Sequence, residues 1–304
     1  MSTKQWRSGH RPVPLPLSAW ADSHHAPQTS LEKRLSLPVY MIDAFADRPM
    51  HGNPAVVCLL EAWLPAQTMQ NIAAEFNLSE TAFIAPTGAS DTHNRSIYDI
   101  RWFTPTCEVD MIGHATLAAG HLVLSKIAPS ASEAVFNSPT GTLTVRRNGR
   151  SLDIEMPALV PHRIDAPDNL AVALGMLPKE VWVAKHYLAI FETAKEVAGL
   201  RPDFAALARL PLPAVIVTAK EQDEFDFVSR FFAPANGVPE DPVSGVAHCC
   251  LAPYWSKRLG KSDLTGRQIS RRGGTVGCKI NGDRVILSGS ASIFLEGRIV
   301  IEAS

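Results

Sequence analysis

The sequence predicts an α+β protein made of two like halves, and three observations predict it. One motif occurs twice. It runs Arg101-Trp102-Phe103-Thr104-Pro105, Asp110, Gly113-His114-Ala115, and again Arg230-Phe231-Phe232-Ala233-Pro234, Asp241, Gly245-Val246-Ala247, with the motif glycines 132 positions apart (245 − 113). Strand-like runs outnumber helical ones, and each half carries about one long helix opposite a mostly antiparallel sheet. No Gly-rich dinucleotide fingerprint or Walker loop marks a doubly wound parallel sheet. In both copies an aromatic strand ends at a proline, a loop delivers an acid, and small residues open an apolar helix. Two such helix N-termini pointed into one cleft would hold a small anion, which suggests an enzyme.

The elements follow in order. Leu37–Phe45 alternates and carries β-formers, so it reads as a strand. Asp47-Arg48-Pro49 turns the chain, and Gly52-Asn53-Pro54 leads into the apolar run Ala55–Leu60. Leu64-Pro65 opens a helix to about Phe76, with Met69, Ile72 and Ala73 at helical spacing. Asn77-Leu78-Ser79-Glu80 breaks that pattern ahead of a short strand, Thr81–Ala85. Ser96–Phe103 is the strand entering the first motif, and Gly113–Lys126 is the motif helix, with Leu117, Gly120 and Leu124 along one side. Asn148-Gly149 joins Gly141–Arg147 and Ser151–Met156 as a hairpin. Pro157-Ala158 and the proline-rich stretch after it form the crossover.

The second half repeats this grammar. Leu170–Gly175 is a short helix, Val181–Ile190 a strand, Phe204–Arg209 a helix and Ala214–Ala219 a strand. Asp226–Phe232 enters the second motif and Gly245–Leu259 is its helix. Arg267–Ser270, Thr275–Ile280, Arg284–Ser288 and Ser292–Glu302 read as a β-meander. The predicted organisation is an appendage over 1–36, a first domain over 37–155 completed by the C-terminal strand 292–304, and a second domain over 156–291.

Composition narrows the function. The 304 residues are 46% apolar, enough for sizeable cores. A net charge of −1 argues against a nucleic-acid or polyanion binder. Runs such as Ala55–Leu60 are far too short to span a bilayer, so no membrane partner is expected. Cys58, Cys107, Cys249, Cys250 and Cys278 are odd in number and lack CxxC spacing, which suits reduced thiols in the cytoplasm rather than disulfides or a zinc ribbon. The proline-rich first 36 residues lack the apolar core of a signal peptide and read as dispensable for the chemistry.

Five segments in order, Gly52-Asn53-Pro54-Ala55-Val56-Val57, Ser79-Glu80-Thr81-Ala82-Phe83, Arg101-Trp102-Phe103-Thr104-Pro105, Gly113-His114-Ala115-Thr116-Leu117-Ala118 and Glu240-Asp241-Pro242-Val243-Ser244-Gly245, resemble the phenazine-biosynthesis isomerase (PhzF-like) family over about residues 37–304. The resemblance implies the diaminopimelate-epimerase fold, with two pseudo-symmetric domains, each a sheet curled around a central helix, and the site between them. It also implies a homodimer and no metal or cofactor.

On residues alone, Glu80 reads as a turn glutamate, His114 as a capping or buried structural histidine, and Asp241 as a helix cap. The resemblance makes Glu80 the catalytic acid/base, in an apolar cleft where desolvation would raise its pKa. It makes His114 and Asp241 the groups that orient a small carboxylate-bearing substrate. Gly113, Ala115, Gly245 and Ala247 have small side chains that would let backbone N–H groups approach that carboxylate or let helix pack closely on sheet, Ser244 and Val246 are expected among the substrate-binding positions, and Asn53 would touch the substrate or serve its turn. His121 reads as packing or surface.

Two departures matter. Cysteine epimerases of this fold place a thiol before each motif glycine, where this chain has Ile112 and Ser244, and Cys107, Cys249 and Cys250 fall at the wrong spacing and read as buried free thiols. Many relatives carry serine at the position of Val246, which puts dihydro-hydroxyanthranilate, the phenazine substrate, in doubt. The leading expectation is a cofactor-independent proton-moving isomerase. A stereochemical epimerase and a non-catalytic metabolite-binding or interaction protein are its rivals.

Overall fold

The computed structural model describes residues 34–88, 94–221 and 223–302, and Ser36–Val300 forms one compact unit. The expected appendage, up to residue 33, lies outside the described residues. The first half contains β1 (Arg34–Ala44), β2 (Asn53–Leu59), α1 (Ala66–Phe76), β3 (Thr81–Pro86), β4 (Arg95–Phe103), β5 (Glu108–Val109), α2 (Gly113–Leu122), β6 (Glu133–Ser138), β7 (Gly141–Asn148) and β8 (Ser151–Pro157). A π-turn at Val123–Ile127 extends α2. The second half contains β9 (His162–Ile164), α3 (Leu170–Leu174), β10 (Glu180–Val183), β11 (Tyr187–Ile190), α4 (Ala194–Gly199), α5 (Phe204–Leu207), β12 (Val215–Lys220), β13 (Phe227–Ala233), β14 (Val238–Asp241), α6 (Gly245–Leu259), β15 (Asp263–Gln268), β16 (Gly274–Asn281), β17 (Arg284–Gly289) and β18 (Ala291–Glu302).

The protein is α+β, and its halves share one strand grammar. In the first, β1 runs antiparallel to β2, β2 parallel to β3, β3 antiparallel to β4, β4 parallel to β6, and β6, β7 and β8 are antiparallel in turn. From β10 to β17 the same series of directions repeats. β8 then pairs antiparallel with β17, its counterpart, with Ile154 opposite Leu287, so the sheets of the two halves are continuous. β9 pairs β10, and β18 pairs β1 in the corresponding place.

Side-chain alternation explains the layers. β12 is buried on both faces: Ile216 packs into the core around α2 and α6, while Val215 and Val217 pack under the short helices with Leu170, Val197 and Leu207. Gly120 lets α2 lie on β7, since a Cβ there would fall 2.4 Å from Val145. In α6, Pro253 cannot donate to the Cys249 carbonyl, and the Leu159 N–H fills that acceptor at 2.9 Å, tying the crossover to the helix.

Three expectations are corrected. Val181–Ile190 is a hairpin, β10 and β11, turning at Ala184–His186. The last four strands are not a simple meander, because β17 has β16 and β8 as neighbours and β18 pairs β1. Cys107 is exposed, unlike the buried Cys249 and Cys250.

Candidate active site

Glu80 is delivered by the turn that closes α1. Asn77 adopts a left-handed conformation (φ 50°) and caps the helix through its N–H to the Ala73 carbonyl. Three residues later Glu80 stands at the mouth of β3, beside the start of α2. His114, the second residue of α2, is buried, and its Nε2 lies 3.1 Å from Glu80 Oε2. The approach is close, yet neither atom has a well-aligned hydrogen-bond partner, so both keep bonding capacity.

The pair sets its own protonation. Burial alone would raise the pKa of Glu80. The His114 charge at 3.1 Å, and after it Ser79, outweigh it and hold the carboxyl below its usual range. Burial alone would also strip the proton from His114, but the closely approaching charge of Glu80 and then the charge of Asp241 raise the imidazole pKa. The expectation that desolvation raises the pKa of Glu80 is therefore overturned by its partner.

Asp241 ends β14. Its carboxyl is pushed up to about 6, first by burial and also by Glu80, against the lowering effects of His114, Asn53 and Ser244. Asn53 is fully buried and divides its amide hydrogens between Asp241 Oδ1 at 2.8 Å and the Val243 carbonyl at 2.9 Å. With two acceptors facing the NH2, the orientation of this amide is fixed. Its Oδ1 is left buried without a partner.

The two motif helices meet at their glycines. A Cβ built on Gly113 would lie 3.8 Å from the Gly245 Cα, and one on Gly245 3.7 Å from the Gly113 Cα, with Met156 and Leu287 beneath them. The helix starts differ. Ile112 caps α2 without a side-chain bond, leaving the first-turn N–H groups, including those of His114 and Ala115, without a capping side chain. Ser244 caps α6 by accepting the Ala247 N–H at 3.3 Å. Val246, half-buried, packs against the core at the position that matches His114. His121 is half-buried in the last turn of α2, two turns beyond His114, where burial and then Arg147 lower its pKa.

Sequence reasoning missed a supporting set. Gln268, fully buried, donates to the Asp241 carbonyl at 2.6 Å and accepts the Ser244 N–H at 2.9 Å. Ser270 donates to the Pro242 carbonyl at 2.7 Å. The one available signal was a polar Gln-Ile-Ser-Arg-Arg-Gly-Gly stretch interrupting the strands. Two cavities, about 470 Å³ beside Arg163 and Lys179 and about 260 Å³ beside Arg48 and Arg267, contain neither Glu80, His114 nor Asp241. Glu80, His114 and Asp241 gather instead near the starts of α2 and α6, where Gly113 and Gly245 face each other. Among the described residues, no group of three or more His, Cys, Asp or Glu is placed to hold a metal ion, and no helix is long and apolar enough to cross a membrane.

Comparison with known proteins agrees with this architecture. A family model described as phenazine biosynthesis-like protein matches residues 42–297. A Pseudomonas aeruginosa protein named an uncharacterized isomerase is 45% identical over 265 residues, covering 87% of this chain and 99% of that one. The crystal structure of a PhzF-family protein from Enterococcus faecalis superposes with a TM-score of 0.82 at 41% identity, covering 87% and 99% of the two chains. A predicted epimerase from Pseudomonas aeruginosa shares the fold, with a TM-score of 0.62 at 20% identity over 88% and 100% of the chains.

Proposed function

The chain belongs to the phenazine biosynthesis-like protein family, and from that premise we propose that it is an isomerase that moves a proton on a small carboxylate-bearing metabolite without a cofactor. The observation that carries this reading is the buried Glu80–His114 pair at 3.1 Å, whose facing atoms lack aligned partners.

The geometry supports a sequence of roles. The substrate carboxylate enters at the uncapped start of α2, where backbone N–H groups and protonated His114 attract it. As that carboxylate draws on the positive charge of His114, Glu80 loses part of the interaction that holds its pKa down. Burial then dominates and Glu80 becomes a stronger base. It removes a proton from an acidified carbon and returns it elsewhere on the same conjugated system, while the helix N-termini stabilise the developing charge. Asp241 orients the substrate from the other half, held by Asn53 of this one. Ile112 and Ser244, which precede the motif glycines, supply no thiols for a two-thiol epimerase.

The test is NMR of the purified protein with trans-2,3-dihydro-3-hydroxyanthranilate in deuterated water, followed by other small unsaturated carboxylates. Solvent deuterium entering a product with a shifted double bond, with wild type and not with Glu80→Gln, is expected. Full turnover by Glu80→Gln would sink the mechanism, and binding without exchange would favour a metabolite-binding protein. Exposed Phe294 and Leu295 on β18 support a further reading as a homodimer, which sedimentation velocity checks.

A further inference from the structure

We propose that Arg272 is a positioning residue for the site, holding Asn53 against Asp241 by gripping the turn at Met50–Gly52 from the opposite half. The inference rests on the reading of Asp241 as a substrate-orienting group.

Arg272 reaches out of the loop between β15 and β16. Its Nη2 donates to Asp43 Oδ1 at 2.6 Å and to the His51 carbonyl at 3.0 Å, and its Nε donates to the Gly52 carbonyl at 2.9 Å. Asp43 is 1% exposed, and its other oxygen accepts the Met50 N–H at 2.7 Å. One guanidinium and one carboxylate thus fix three consecutive residues ahead of Asn53. The turn has little freedom to settle elsewhere. Met50 is left-handed (φ 69°), and Gly52 has φ 63° with no room for a Cβ, which would fall 2.2 Å from the Ala44 carbonyl oxygen.

The same loop holds the other side of the contact. The Gly273 carbonyl accepts the Gly52 N–H at 2.8 Å. The Gly273 N–H donates to Ser270 Oγ at 3.0 Å, and Ser270 Oγ donates to the Pro242 carbonyl at 2.7 Å. A single short loop therefore joins the residue before Asn53 to the residue after Asp241. Hydrogen bonds weaken steeply with misalignment, so slackening this grip loosens the 2.8 Å Asn53–Asp241 bond first. A half-buried ion pair that served only the fold would leave Asp241 unaffected, which makes the two roles separable.

The experiment reads the ionisation of Asp241 directly, by 13C NMR of side-chain-carboxyl-labelled aspartate. The resonance is assigned by its loss in Asp241→Asn. The charged groups facing Asp241 are Glu80 and His114, and its hydrogen-bonding neighbours are Asn53 and Ser244. Because Asn53 favours the ionised carboxylate, Asn53→Ala should weaken the acid by roughly threefold or more. Arg272→Met should do the same, and the double variant should add little to either. Arg272→Lys keeps a charge near Asp43 without the planar fork and should recover part of the change. Arg272→Met lowering the melting temperature while Asp241 titrates as in wild type would overturn the proposal. So would equal shifts with and without Asn53. If Arg272→Met does not fold, Arg272→Lys is run through the same cycle, where a smaller shift that depends on Asn53 is expected and an unshifted Asp241 overturns it. The readout uses no substrate, so its failure is distinct from failure of the isomerase reading, which falls on turnover by Glu80→Gln.

Discussion

Gly113 and Gly245 stand face to face, each so near the other that a single added Cβ would touch the opposite Cα at 3.7–3.8 Å. That distance is ordinary van der Waals contact, so alanine fits without forcing the halves apart. Gly113→Ala and Gly245→Ala should both fold with melting temperatures within a few degrees of wild type, since alanine favours a helix. They should nonetheless narrow the floor where a carboxylate would sit and reduce kcat/KM by roughly tenfold or more. Thermal melts beside turnover check this, and unaltered turnover would place the ligand elsewhere.

His114→Ala leaves Glu80 buried without its counter-charge. Burial then raises the Glu80 pKa above its unfolded value, and the ionised form opposes folding at neutral pH. A loss of about 3–5 kcal/mol is expected there. The deficit should shrink as the pH falls and Glu80 takes up its proton. Urea unfolding across the acid range checks both the size and the recovery.

Asp241 carries a cost in the free protein. Its pKa stands at about 6 against an ordinary 3.8. The folded state therefore binds the extra proton in that interval, and stability falls as pH rises from about 3.8 through 6. The penalty is complete above that window. Asp241→Asn should stabilise the protein by roughly 1–3 kcal/mol at pH 7 and hardly at all below the window. Activity should fall at the same time, a trade of stability for function that calorimetry and turnover measure together.

His248 has the opposite sign. It is buried beside Phe227, and burial lowers its pKa to about 4 against the hydrogen bond to Ser244. The unfolded chain takes up the proton first, so this contribution is whole above about pH 6.5 and is lost as pH falls towards 4. The loss is about 3 kcal/mol. His186, lowered by burial and then by Lys185, adds to the same limb. His248→Leu should flatten the stability profile between those pH values in chemical denaturation, and an unchanged slope would contradict the assignment.

Much of the fold was legible because the motif repeats with its surroundings. The aromatic strands, the prolines that end them and the small residues that open α2 and α6 are local signals, and the doubled strand grammar carries them. The hairpin at Ala184–His186 was not legible, because Val181–Ile190 is apolar on both sides of the turn and holds no Gly, Pro, Asn or Asp to mark it. The destination of β18 was hidden because strand neighbours are chosen by long-range packing. In the candidate site the family resemblance, carried by compact motifs, pointed to Glu80, His114, Asp241 and Asn53, where the residues alone read as turn, cap and core positions. The protonation of Glu80 was misread because it depends on a neighbour 34 positions away (114 − 80). Gln268, Ser270 and Arg272 escaped notice because their partners lie far along the chain.

Those long separations have a kinetic consequence. The Asn53–Asp241 bond closes over 188 residues and the Arg272–Asp43 bond over 229. Loop closure of that span costs entropy before the contact returns any of it, and chains dominated by such contacts fold slowly. During synthesis the first half emerges with Asp43, Asn53 and the uncapped start of α2 already in place, while every group that completes them is still unmade. The candidate site is thus complete only once both halves have been made, with β17 paired to β8 and the two glycines together.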